Sequence, residues 1–275
     1  MKKITRFTGH RGTRIQRPEN TKEAFDYVYK LRTAFNALGA EVSFEFDVRL
    51  TKDMVPVLIH DDHTRRTATG GSGFVSELTY EEMKALNFNK THVHMTGTLI
   101  TLEEMFELYP DVIFDAEIKE TGERGIELAK IFITLINKYS AAKRMIMHIP
   151  CIQTSQFCVK NFPKGCQFEL PGSLIQEFER ETYLDQPSTF HEGYHQMCLH
   201  FRYLQDGKIA EYLSEKYIKK ARDMGYPIIT YWERQGVPLV NEHDLWKALS
   251  LGVDSVIVDD TLLALKTFAD YVATN

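Results

Sequence analysis

The chain has 275 residues, with 33 Lys plus Arg against 38 Asp plus Glu for a net charge of −5, and 43% of its residues are hydrophobic. No block of like charges offers a footprint for nucleic acid or an anionic membrane surface, and no uncharged apolar run approaches the roughly 20 residues that span a bilayer. The cysteines Cys151, Cys158, Cys166 and Cys198 contain no C-x-x-C pair, so buried reduced thiols are expected rather than a disulfide framework or a thiolate zinc site.

Met1-Lys2-Lys3 is followed by Ile4-Thr5-Arg6-Phe7 rather than a long apolar core, so no export signal is read and the cytoplasm is the expected compartment. Short β-rich runs then recur along the chain: Ile4 to Gly9, Val42 to Val48, Val112 to Ile118, Arg144 to Ile149, Cys166 to Leu170, Gln196 to Phe201, Pro227 to Tyr231 and Ser255 to Val258. Between most of them lie apolar residues at helical spacing, such as Ala24, Tyr27, Val28 and Leu31, or Ile126, Ala129, Ile133 and Ile136. Alternating strand and helix predicts a parallel sheet, and this number of strands favours an α/β protein closed as a (β/α)8 TIM barrel, one domain over 1–275.

About sixty residues separate the second run from the third, more than one crossover needs, so a small inserted subdomain is expected after the second strand, at about 61–110. It follows Val55 to Ile59, read as a short strand pairing back on its predecessor. It passes through Gly70-Gly71-Ser72-Gly73 to a helix at Tyr80 to Leu86, with Thr79 as N-cap and Glu82 completing a capping box. Asn20, with Glu23 three residues on, is the expected N-cap of the first long helix, and polar Glu181 to Tyr194 is expected to be a loop.

His10-Arg11-Gly12 follows the first strand directly and so belongs at the C-terminal rim, where barrel enzymes carry their active sites. The second strand reads Ser43-Phe44-Glu45-Phe46-Asp47-Val48, whose alternation points Glu45 and Asp47 to one face. The third, Asp115 to Lys119, adds Glu117 and an ammonium at Lys119. Three converging carboxylates without His or Cys suit one hard divalent cation, Mg²⁺ or Ca²⁺; the competing interpretation is a salt-bridge cluster of Glu45, Asp47 and Glu117 with Arg11 and Lys119. His60 lies on the loop returning to the same rim, so His10 and His60 are candidates for a proton donor and acceptor pair. A cation, an arginine, a lysine and two histidines together suit phosphate-ester cleavage. His148, Glu169 and His200 are further rim candidates.

These residues resemble the glycerophosphodiester phosphodiesterase family. The resemblance runs in order through H-R-G at His10 to Gly12, P-E-N-T at Pro18 to Thr21, E-x-D-V at Glu45 to Val48 and T-x-D-x-x-P-V at Thr51 to Val57. It continues through His60-Asp61, Arg66-Thr67, Gly70 to Gly73, Thr101 to Glu104 and Glu117-Ile118-Lys119. It implies a (β/α)8 barrel with a small insertion, and metal-dependent hydrolysis of small glycerophosphodiesters to glycerol 3-phosphate and an alcohol. Carried over by position, it implies Glu45, Asp47 and Glu117 as metal ligands, His10 and His60 as the acid/base pair, and Arg11 and Lys119 on the phosphate. Glu19 would buttress the rim.

The second half departs further. Where the family carries W-T-x-N, this chain reads Trp232-Glu233-Arg234, leaving Trp232 to stack on glycerol or to meet a cationic alcohol through its ring. Gly252 to Asp259 resembles the family's closing strand. Alternatives are a lysophospholipase D-like or cyclic-phosphate-forming reaction on lipid headgroups, or a barrel that binds phosphodiesters without turnover. The sequence leaves the leaving alcohol, the order in which the histidines act, the nucleophile (water or the glycerol hydroxyl) and the oligomeric state open.

Overall fold

The computed structural model describes residues 6–200, 203–205, 208–210, 213–231 and 241–274. In chain order the strands are β1 (Arg6–Gly9), β2 (Glu41–Leu50), β3 (Pro56–Leu58), β4 (Ile113–Ile118), β5 (Met145–His148), β6 (Gln167–Phe168), β7 (Met197–His200), β8 (Tyr203–Gln205), β9 (Lys208–Ala210), β10 (Ile228–Tyr231) and β11 (Ser255–Val258). The helices are α1 (Lys22–Ala37), α2 (Tyr80–Lys84), α3 (Leu102–Leu108), α4 (Gly122–Lys138), α5 (Ile152–Asn161), α6 (Gly172–Tyr183), α7 (Glu215–Asp223), α8 (Glu242–Leu251) and α9 (Thr261–Thr274).

The parallel strands run side by side in the order β6-β5-β4-β2-β1-β11-β10-β7. The two ends of that row meet through a parallel bridge between Glu169 and Gln196. There the His195 N–H donates to Phe168 O at 2.8 Å and the Leu170 N–H to Gln196 O at 3.0 Å. The sheet therefore closes on itself, and the helices that follow its strands cover the outside, the architecture that the alternation of strand and helix predicts. β3 folds back antiparallel on β2, pairing Val48 with Leu58.

Strand alternation divides inside from outside. Phe7, Phe44, Phe46 and Phe114 point outward and are fully buried against the helices, with Phe7 packed on Phe35 and Phe268 at 5.1 Å between ring centroids. Each such ring contributes about 1.5–3 kcal/mol by leaving water. The opposite face is polar: the Thr8 hydroxyl lies 2.7 Å from that of Ser43 and 3.1 Å from that of Ser255. The segment after β2 has its own small hydrophobic cluster of Val57, Ile59, Ala68, Val75, Met83, Phe88 and Leu99. Capping boxes at Thr79 with Glu82 and at Thr101 with Glu104 start α2 and α3.

Two local expectations are corrected. Thr21, not Asn20, caps α1, its hydroxyl accepting from the Ala24 N–H. Asn20 instead adopts φ 55° and turns its side chain to Asp47, while Glu23 accepts from Thr98. A side chain that must satisfy a buried carboxylate is not available to the helix end. α6 also extends to Tyr183, into the stretch expected to be a loop, because Phe178 and Thr182 bury one face of its last turn. Among the described residues no helix is long and apolar enough to cross a membrane.

Candidate active site

Register and alternation together assemble the barrel mouth. β1 pairs Gly9 with Phe44 of β2 and with Val258 of β11, so the next residue, His10, falls between Glu45 and Asp259. β2 pairs Asp47 with Glu117 of β4, which in turn pairs with His148 of β5. The Glu169 N–H donates to Met147 O at 3.0 Å, which extends the same row by one strand. His10, Glu117, His148, Glu169 and Asp259 lie at or just past the C-terminal ends of their strands, level with Glu45 and Asp47 of the longer β2.

Glu45, Asp47 and Glu117 bring carboxylate oxygens within 4.8 Å of one another. Asp47 meets Lys119 Nζ at 3.0 Å, accepts from Asn20 Nδ2 at 2.8 Å and has Arg11 Nε at 3.1 Å, a close ion pair without hydrogen-bond alignment. Burial opposes its ionisation, but Lys119 and Arg11 outweigh burial and hold it well below the usual carboxylate range. Glu117 likewise overcomes burial through His148 at 3.3 Å and Lys119, and falls to about 2. Glu45 behaves oppositely: burial, then the neighbouring Asp47 charge, pushes it well above its ordinary value. Its Oε2 accepts the Arg11 backbone N–H at 2.7 Å. Two buried carboxylates and one half-buried one, with Glu45 pushed toward its neutral form by burial and by Asp47, form an oxygen-only donor set of the kind that fits a hard divalent cation.

His10 is buried, with Nδ1 2.7 Å from Asp259 Oδ1 and Nε2 3.8 Å from Glu45. Burial is the largest influence on its pKa and lowers it below 6.5, against the opposing pull of Asp259. Burial opposes the ionisation of Asp259, but His10, Arg14 and Arg11 together outweigh it and hold the carboxyl below its ordinary value. An ionised carboxylate only accepts, so the proton sits on Nδ1 and Nε2 keeps its lone pair for the site. His60 repeats the device, with Nδ1 2.8 Å from Asp61 Oδ1. Arg11 adopts φ 52°, an uncommon conformation for a non-glycine residue that aims its N–H at Glu45. The next residue, Gly12 at φ 81°, passes so close to α1 that an added Cβ would lie 2.6 Å from Ala24 Cβ.

One layer deeper in the barrel, burial raises Asp115 to about 6; in the rim row, burial followed by the Asp115 charge raises Glu169 to about 8. His148, despite burial, is raised to about 10 by Glu117. Trp232 and the side chain of His200 lie outside the described residues. Sequence reasoning passed over Asp259 and Arg14, whose Nη1 lies 3.5 Å from Asp259. Barrel closure would have exposed the first: the last strand neighbours the first, so an Asp just past its end must stand beside His10.

The model of the Glycerophosphoryl diester phosphodiesterase family matches residues 10–263. A glycerophosphodiester phosphodiesterase of Caldanaerobacter subterraneus subsp. tengcongensis is 38% identical over 142 residues, covering 50% of this chain and 55% of that protein. The chain thus spans about half the length of that curated relative, and less of others that it matches. Among solved structures, a glycerophosphodiester phosphodiesterase from Agrobacterium tumefaciens superposes with a TM-score of 0.71 at 17% identity, over 96% of this chain and 100% of that one. An Oleispira antarctica phosphodiesterase, solved in complex with the product sn-glycerol-3-phosphate, has a TM-score of 0.67 at 20% identity, over 99% and 98% of the two chains. At such identities the likeness establishes the shared barrel.

Proposed function

The chain belongs to the Glycerophosphoryl diester phosphodiesterase family, and from that premise we propose that it hydrolyses glycerophosphodiesters to glycerol 3-phosphate and an alcohol. The observation that carries this reading is the meeting of two carboxylate-oriented histidines, one arginine, one lysine and three clustered carboxylates at one barrel mouth. The Oleispira relative with sn-glycerol-3-phosphate supports the identity of the product.

In this reading Glu45, Asp47 and Glu117 hold one Mg²⁺ or Ca²⁺, and when bound the cation supplies charge neutralisation to the phosphate oxygens. Arg11 and Lys119 add fixed positive charge on the phosphate side, where charge stabilisation dominates phosphoryl transfer. His10 and His60 present Nε2, one removing a proton from the attacking hydroxyl and the other donating one to the departing alkoxide oxygen. Asp259 and Asp61 stabilise whichever imidazole carries the extra proton.

The test is release of glycerol 3-phosphate from glycerophosphocholine and glycerophosphoethanolamine, with Mg²⁺, with Ca²⁺ and with a chelator, in the wild type and in His10→Ala and His60→Ala. Metal-dependent release, abolished for the most part in both variants while cation binding persists, is the expected result. No release from the folded wild type with either metal rejects the substrate class, and near-normal turnover in both variants rejects the histidine roles. A second reading, lysophospholipids as substrates, is favoured by apolar side chains exposed at the rim: Ile15, Val93 and Met95 are 39%, 64% and 38% exposed. His92 Nε2, one residue before Val93 and three before Met95 in the insertion, donates to Ile15 O at 3.1 Å. Choline release from lysophosphatidylcholine distinguishes the two.

A further inference from the structure

A chain of alternating charges crosses the barrel mouth and runs out onto the insertion. It begins at His60, whose Nδ1 meets Asp61, and both Asp61 oxygens accept from Arg66, Oδ2 from Nε at 2.6 Å and Oδ1 from Nη2 at 3.1 Å. The other edge of the same guanidinium holds both oxygens of buried Glu19, with Nη1 and Nη2 each donating at 2.7 Å. Glu19 Oε1 in turn accepts from Arg11 Nη1 at 2.8 Å, and Arg11 Nε faces Asp47 at 3.1 Å. Arg66 thus joins two carboxylates, one from the insertion and one from the loop after β1. Burial would raise Glu19, but Arg66 and Arg11 outweigh it and bring it to about 2.

His60 needs such support. It follows β3 on a loop, its side chain is 32% exposed, and Asp61 beside it is 26% exposed. Asp61 can fix the imidazole only if its own carboxylate is fixed, and Arg66 is the group that grips both of its oxygens. The short helical turn Thr64–Arg66 is itself anchored, because His63 Nδ1 accepts from the Arg65 N–H at 3.1 Å.

We propose that Arg66 is a positioning residue that sets the His60 ring and the Arg11 guanidinium in one rigid frame, locking the insertion to the barrel mouth. The proposal takes the roles of His60 and Arg11 from the phosphodiesterase reading. Arg66 has Nε, Nη1 and Nη2 engaged by carboxylates, so it acts through its partners rather than on phosphate. The planar fork matters: a lysine ammonium can replace the charge but cannot present two flat edges to two carboxylates.

The test compares Arg66→Lys and Arg66→Ala with the control Arg65→Ala on the same turn. Steady-state kinetics on glycerophosphocholine are read beside ¹H–¹⁵N spectra of the His60 ring, which report the Nδ1–H tautomer without requiring turnover. Both Arg66 variants should lose about 10- to 100-fold in kcat with KM changed less than about threefold, since a misplacement near 1 Å costs that much. Their His60 signals should shift from a fixed Nδ1–H tautomer to an exchanging mixture, added guanidinium should restore part of the Arg66→Ala rate, and Arg65→Ala should match the wild type. Wild-type kcat with an unchanged His60 spectrum in either Arg66 variant overturns the proposal, as does an equal loss in Arg65→Ala. If Arg66→Ala does not fold, Arg66→Lys decides; unfolding of both assigns Arg66 to stability alone and also overturns it. If the wild type releases no glycerol 3-phosphate, the function reading fails while the His60 spectra still decide the positioning claim.

Discussion

Replacing Asp259 by Asn isolates what a carboxylate behind His10 contributes. Asp259 Oδ1 lies 2.7 Å from His10 Nδ1, and both side chains are buried, at 6% exposure each. The amide retains the volume, and the backbone carbonyl at this position still accepts from the Ile15 N–H at 3.3 Å and Thr13 Oγ1 at 3.4 Å, so the rim loop keeps its anchors. What is lost is a charge-assisted hydrogen bond to an imidazole that becomes cationic during turnover, worth about 1.5–3 kcal/mol. Because that charge develops in the reaction, the loss falls on kcat and amounts to about 10- to 150-fold at 1.4 kcal/mol per decade. The His10 pKa, already lowered by burial, should fall further without its anionic partner, moving whichever limb of the kcat/KM profile His10 sets to lower pH. Glycerol 3-phosphate release measured across substrate concentration and pH, beside a melting curve, checks this. A kcat within threefold of wild type in the folded variant, or a loss expressed only in KM, refutes the reasoning.

Glu19 gives a pH prediction. Its carboxyl is depressed from 4.5 to about 2, so its stabilisation is fully present above its unfolded value and disappears as pH falls from about 4.5 towards about 2. The depression corresponds to on the order of 3 kcal/mol at neutral pH. Urea titrations of Glu19→Gln should show lower stability at pH 7 and a flatter decline below pH 5 than the wild type; parallel declines would contradict it. Gly12→Ala should cost about 2 kcal/mol or more, because φ is +81° and the new methyl would meet Ala24 Cβ at 2.6 Å. A lower midpoint in denaturant is the expected readout, and an unchanged midpoint would show that α1 shifts without penalty.

Much of the barrel is legible in the sequence because its strands are short and locally encoded. Alternation in Ser43 to Val48 and Asp115 to Lys119 separates carboxylates from aromatic and aliphatic side chains with no knowledge of neighbours. Thr79 with Glu82 likewise announces its helix within four residues. Asn20 shows the limit of that reasoning: as a local signal it resembles a helix cap, yet Asp47, far away in sequence, claims its side chain. The α6 boundary fails for a related reason, since Phe178 and Thr182 extend the helix by packing rather than by propensity.

Order along the chain and period-two alternation are properties of the sequence by itself, and they determined the alternating architecture, the polar inner face and the residue types at the strand ends. Tertiary structure alone decided which of those residues touch. Closure places Asp259 behind His10, and strand register sets Glu117 between Asp47 and His148. The return of the insertion brings Arg66 to Glu19 across 47 positions of sequence. The reason is physical: backbone preference acts between near neighbours, whereas a buried charge is settled by whichever partners the closed sheet carries to it, however distant in the chain.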